Sequence, residues 1–204
     1  MTSILLKDFA DMELVTDDPE ERFITNGVSW EQYETVLAKL EDSPWYHVTY
    51  LEGLLEVMSP SRRHERSKTQ IGMFLEAYFQ ETLTPFWGLG STTFRNQNQR
   101  GGTEPDECYC IGTEKDFPDL AIEVVVTSGG VDKLEVYRRL GVREVWFWQD
   151  NQFHVYCLRK DRYEKVSSSK LLPNLDLKLL AEYVVKPNPL TAVLEFRQRI
   201  RSGQ

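Results

Sequence analysis

The chain has 204 residues, a formal net charge of −8 at pH 7, and 41% hydrophobic and 12% aromatic residues. That length suits one domain with small appendages, and that apolar share can fill a core, while no run is apolar enough to span a bilayer. The acidic balance argues against gripping nucleic acid through bulk charge, although carboxylates that hold a cation would themselves contribute to it.

Residues 1–25 are acidic and mixed, with a turn at Asp17-Asp18-Pro19, and read as an N-terminal arm with room for one short element; residues 26–204 read as a single domain. They lack the charged-then-apolar layout of a signal peptide, so a cytoplasmic protein is expected. Ser29-Trp30-Glu31-Gln32 has capping-box spacing and predicts a helix to about Leu40, with Tyr33, Val36, Leu37 and Leu40 inward. Residues 46–58 alternate as a hairpin that turns at Glu52-Gly53. A long helix follows from Ser59-Pro60-Ser61 to about Leu83, its apolar face made by Ile71, Phe74, Leu75, Tyr78 and Phe79, and Thr84-Pro85 ends it.

Strands are predicted at 92–96, 106–111 and 120–126, with a turn at 99–102. Residues 127–130 form a loop into a helix over 132–140, closed by Gly141. A strand at 144–148, a hairpin of 152–158 and 163–166, and two helices at 177–184 and 191–201 complete the chain. The expected fold is a mixed α/β or α+β domain. Its mixed sheet holds the strands of Asp106, Glu123 and Trp146, and the long helix packs on one face. Three cysteines, Cys108, Cys110 and Cys157, lack framework spacing and read as reduced, buried small residues.

Two acids stand out. Asp106 follows a proline at a strand start. Glu123 shares a strand face with Ala121 and Val125 in a run that is apolar on both faces, as a central strand is. A carboxylate there is costly unless paired or metal-bound. Lys133, on the first turn of the helix behind that strand, could return its amine to the carboxylates; a surface lysine paired with Asp132 or Glu135 is the plainer alternative. Glu56 is an acid between Leu54 and Met58 on an otherwise apolar face, and His64 opens the long helix, where a lone histidine is usually a polar surface or cap residue. Asp119 reads as a turn or cap residue, and His47 and His154 show no ligand pattern. The basic segments at 62–68, 138–143 and 197–201 read as solvated helix faces.

Several strings resemble the Uma-two-type family of candidate restriction endonucleases, within the PD-(D/E)XK nuclease superfamily: residues 50–60, His64, Glu104-Pro105-Asp106-Glu107, residues 118–124 and residues 133–146. The resemblance covers nearly the whole chain from about Gly27. It implies a restriction-endonuclease-like mixed sheet flanked by helices, and Mg2+-dependent (or Mn2+-dependent) hydrolysis of DNA phosphodiesters. It makes Asp106 and Glu123 the metal acids. Where the superfamily carries its lysine, this chain has Val125, and Lys133 on the next helix takes the place a migrated lysine would. Glu56 and His64 remain as supporting groups. A homodimer would supply two centres for a duplex, with the apolar 145–148 strand and the last helix as contact surface. The alternatives are a catalytically silent nuclease fold that binds or regulates, and an interaction protein that makes contact through Trp146–Trp148.

Overall fold

The computed structural model describes residues 20–40, 45–127 and 129–203. Most of the predicted N-terminal arm lies outside these residues. Its end, Glu21–Thr25, forms strand β1.

Helix α1 (Trp30–Leu40) starts at the predicted box, where Ser29 and Gln32 exchange hydrogen bonds between side chain and backbone. Strands β2 (His47–Leu51) and β3 (Leu54–Ser59) make the predicted hairpin. Its turn needs positive φ at Glu52 and Gly53, which a glycine tolerates at no steric cost. Helix α2 (Arg62–Glu81) is capped by Ser61, whose hydroxyl accepts from His64 N–H. The short strands β4 (Phe86–Gly88), β5 (Phe94–Asn96) and β6 (Gly101–Thr103) follow. Next come β7 (Glu107–Ile111), β8 (Leu120–Val124), α3 (Lys133–Leu140), β9 (Glu144–Gln149), β10 (Gln152–Arg159), β11 (Arg162–Val166), α4 (Leu177–Val184) and α5 (Pro189–Arg201).

The strands form two sheets, where one had been expected to hold the centre. The first is antiparallel and ordered β1-β3-β2-β6-β5. The second is mixed, ordered β11-β10-β9-β8-β7-β4, and its β8–β9 pair is parallel. The long helix α2 covers one face of the mixed sheet with α4 and α5, around Phe74, Leu75, Ile122, Trp146 and Phe196. The opposite face of that sheet carries Cys108, Ala121 and Val145 against Val136 and Tyr137 of α3, with Leu51 and Leu54 of the hairpin closing from the first sheet. Helix α1 seals the outer face of the first sheet through Tyr33, Tyr50, Leu55 and Val57. The fold is therefore α+β, with α3 and a polar layer held between the two sheets.

Two expectations change. Residues 99–102 were read as a turn, yet Gly101–Thr103 is a strand. A Cβ at Gly102 would collide with the Tyr33 hydroxyl, so glycine stands in this strand because a ring covers it. The β9 strand cannot be an exposed contact surface, because it lies inside the mixed sheet with Trp146 and Trp148 buried. No helix among the described residues is long and apolar enough to cross a membrane.

Candidate active site

The register of β7 and β8 pairs Cys108 with Ala121 and Glu107 with Ile122. Just before β7, Asp106 N–H donates to the Ile122 carbonyl and Asp106 Oδ2 accepts from Val124 N–H, so the chain at Asp106 is tied to β8 on both sides of Glu123. Both carboxyls are buried, and the Asp106 charge adds to the burial that raises the Glu123 carboxyl. Lys133 opposes that rise.

Asp106 is held from several sides. Its Oδ2 accepts from Val124 N–H at 2.6 Å. Its Oδ1 lies 2.9 Å from His64 Nε2 and 3.3 Å from His47 Nδ1. Burial would raise this carboxyl, but the two histidines outweigh burial and hold it well below the usual carboxylate range. Even so, Oδ1 and His64 Nε2 lack an aligned hydrogen bond. They are close in distance and off line in angle, so both are orphaned polar atoms at the centre of the site. The other nitrogen of His64, Nδ1, sits 2.6 Å from Glu20 Oε1. Burial favours neutral His64, but its two carboxylate neighbours prevail and push it up to about 10. Glu20 is likewise brought down to about 2, where burial opposes and bonds from His64, Thr127 and Arg22 win.

Helix α3 serves the second acid. Lys133 and Tyr137 are one turn apart on the same face. Lys133 Nζ lies 3.1 Å from Glu123 Oε1, and the Tyr137 hydroxyl donates to the same oxygen. Lys133 also donates to Thr103 Oγ1 at 2.9 Å, and Thr103 meets Thr49 across the first sheet at 3.0 Å. Lys133 therefore turns its amine to Glu123 and Thr103 rather than to the Asp132 or Glu135 of the surface alternative.

Glu56 lies buried beside this layer and faces the loop between β8 and α3. Its Oε2 accepts from Val131 N–H at 3.0 Å, and its Oε1 is 3.5 Å from Arg22. Gly130 has a positive φ, and a Cβ there would overlap the Glu56 carboxylate. Both Glu56 oxygens are thus spent on holding the loop that presents Lys133.

A groove of about 850 Å3 approaches the acids through His47, while Asp106, Glu123 and Lys133 stand behind its lining. His47 lines it and touches Asp106, while Lys68, Arg95, Glu65, Glu104 and Phe117 form its walls. Among the described residues no three His, Cys, Asp or Glu side chains form a ready metal cage. Mg2+ does not require one, since it takes one or two carboxylates and keeps several waters. Two buried carboxylates with an orphaned oxygen fit that ion.

The structure thus brings Asp106, Glu123, Lys133 and His64 together, with Glu56 at the edge. His64 is fully buried, whereas the sequence reading favoured a surface or cap position. Sequence reasoning passed over His47, Tyr137 and Glu20. Tyr137 could have been found from its spacing behind Lys133, and His47 from its alternation with Thr49 on the strand opposite Glu56. Glu20 has no local signal. Asp119 accepts from Ile111 N–H and Lys115 at a turn, and the three cysteines are buried and free, as read; Arg138 pairs with Glu135 on the helix face, but Arg139 is not solvated, since it reaches Glu52 and the Gln99 carbonyl across to the hairpin side.

Residues 30–187 match the Uma2 family, described as "Putative restriction endonuclease". A search of curated proteins found no match.

Proposed function

The chain belongs to the Uma2 family, and we propose that it is a Mg2+-dependent endonuclease that hydrolyses DNA phosphodiester bonds, with residues 26–204 acting as one catalytic unit in the cytoplasm. The observation that carries this reading is that two buried carboxyls, Asp106 before β7 and Glu123 on β8, feel each other's charge, with the Lys133 amine 3.1 Å from Glu123. Asp106 and Glu123 would hold the ion, with Mn2+ as a substitute. When bound, a divalent ion supplies Lewis-acid polarisation of the phosphate and a water acidic enough to act as nucleophile.

The protein's own groups account for the rest. Lys133 would neutralise charge that builds on the phosphate, since its amine stands 3.1 Å from Glu123 and is steadied by Thr103. Tyr137 fixes the Glu123 carboxylate. Glu56 holds the 127–131 loop so that α3 starts in the right place. His64 and His47 bracket the free oxygen of Asp106. A homodimer would offer a second centre for the other strand of a duplex, and Leu190 and Leu194 on α5, 68% and 60% exposed, give it apolar contact surface. Sedimentation as a monomer at micromolar concentration would exclude that assembly.

One observation favours a second reading, in which the fold binds without cutting. Val125 occupies the superfamily's usual lysine position, and Asp106, Glu123 and His64 are all buried. Cleavage of supercoiled plasmid with Mg2+ or Mn2+ decides between the two. Cutting that Asp106→Asn abolishes supports the endonuclease. No cutting of any nucleic acid with any divalent ion supports the silent scaffold.

A further inference from the structure

We propose that Glu20, which lies outside the family-matched residues 30–187, is a positioning residue that holds the His64 ring off line from Asp106 and so leaves Asp106 Oδ1 without an aligned hydrogen bond.

Three observations meet here. First, Glu20 is buried and its carboxylate is fully engaged. Oε1 meets His64 Nδ1 at 2.6 Å, and Oε2 accepts from Arg22 Nη2 at 3.0 Å and from Thr127 Oγ1 at 2.7 Å. An ionised carboxylate only accepts, so His64 Nδ1 carries a proton toward Glu20. Second, His64 Nε2 is 2.9 Å from Asp106 Oδ1, yet neither atom has an aligned partner. Two buried, complementary polar groups at that distance would normally rotate into a bond, because a missed one costs free energy. Something holds the ring, and the Glu20 bond on its far nitrogen is the restraint in view. Third, Glu20 also ties down Thr127, in the loop that leaves β8 just after Glu123. One carboxylate from the start of β1 therefore fixes both the ring that faces the first acid and the chain that follows the second.

The consequence is specific. Without Glu20, His64 is free to turn and donate to Asp106 Oδ1, which would fill the acceptor that a cation needs. Partners behind metal-facing groups typically change affinity by roughly 10–100-fold. That part of the inference rests on reading Asp106 as a metal acid; the restraint on His64 does not.

The test uses the full chain and two variants, Glu20→Gln and Glu20→Asp. The first removes the charge facing His64. The second keeps a carboxylate for Arg22 and Thr127 but draws it back from the ring, so it stands in if the first does not fold. Ring nitrogen–proton NMR should show a downfield His64 Nδ1–H signal in the wild type that either folded variant loses. Calorimetric Mn2+ affinity should fall about tenfold or more in that variant, and the drop should shrink to less than about twofold in a His64→Gln background. An unchanged His64 signal in a folded variant overturns the inference, and so does an equal drop with and without His64. If the wild type binds no Mn2+, the metal reading fails, and the NMR result alone decides whether Glu20 positions His64.

Discussion

Replacing Lys133 with alanine tests the proposed chemistry and the scaffolding together, because one amine would serve both. Lys133 Nζ sits 3.1 Å from Glu123 Oε1 and 2.9 Å from Thr103 Oγ1. Its side chain is 15% exposed and that of Glu123 7%. Removing a cation placed at a developing phosphate charge should slow cleavage by about 10²–10³. Removing one partner of a buried pair also leaves the other uncompensated, at about 3–5 kcal/mol. Here the loss should fall near the lower end, because Tyr137 still donates to Glu123 and water can enter beside the missing lysine. The pH dependence gives the sign. Burial already raises the Glu123 carboxyl, and Lys133 pulls against it. Without Lys133 the carboxyl rises further, so the folded state takes up a proton more readily than the unfolded chain. The variant should be close to wild type below the ordinary carboxyl value and lose stability as pH rises above it. Mg2+ should restore much of the loss by supplying the missing positive charge. Single-turnover plasmid cleavage and urea unfolding at acidic and alkaline pH, with and without Mg2+, measure both effects. Cleavage at the wild-type rate would refute the catalytic role. A stability loss independent of pH would refute the pairing with Glu123.

Asp106→Asn should abolish metal binding and cleavage together; the wild type should gain about 2.7 kcal/mol of stability at a hundredfold excess of Mg2+ over Kd, and the variant none, as read by thermal shift. Without metal, stability should peak in mildly acidic solution. The folded value of His64 lies above its ordinary 6.5, at about 10, so its contribution is complete below 6.5 and is lost as pH climbs toward 10. Glu107, raised to about 7 chiefly by burial, slopes the same way between 4.5 and 7, while Glu20, lowered to about 2, loses its contribution as pH falls from 4.5 toward 2. Tm should drop by roughly 5–10 °C on the alkaline side, and His64→Asn should flatten that limb. Glu144→Ala should cost about 3 kcal/mol or more in urea unfolding without changing Mn2+ affinity. Its buried carboxylate accepts from Trp146, Cys157, Ser169 and the Lys170 and Leu171 amides, and all of these would lose their partner.

The fold was legible wherever a single segment carries its own period or cap. Helix α4 falls at the residues its pattern names, and α3 begins at Asp132 and ends at Gly141 as its caps dictate. Pairing between segments was not legible. Nothing local to residues 47–59 says whether that hairpin joins the acid-bearing sheet or builds a second one, because the answer depends on β6, whose glycines read as a turn. Glu21–Thr25 pairs with β3 at separations from Glu21↔Ser59 down to Thr25↔Leu55, and no turn announces it.

The site follows the same division. Asp106 and Glu123 could be read because a lone carboxylate in an apolar strand is an anomaly within its own segment. Glu20 could not, because an acid in an acidic arm is ordinary until the chain folds and places it 2.6 Å from His64. Lys133 lies between the two cases. Its distance in sequence from Glu123 looks wrong for a superfamily that keeps its lysine on the strand, but a carboxylate responds to where an amine is rather than to how the chain reaches it. Once α3 packs across β8, residues 133 and 137 are delivered together to one oxygen of Glu123. The strand position at Val125 is then free to take an apolar residue, with its backbone N–H bonded to Trp148. The amine's new route has a physical condition: the start of α3 must be held in place. Asp132 as cap, Glu56 on Val131 N–H, and Arg22 on the Gly129 carbonyl supply that hold. Two of those three anchors come from the first sheet, which thus fixes a helix end as well as setting His47 against Asp106 and Thr103 against Lys133.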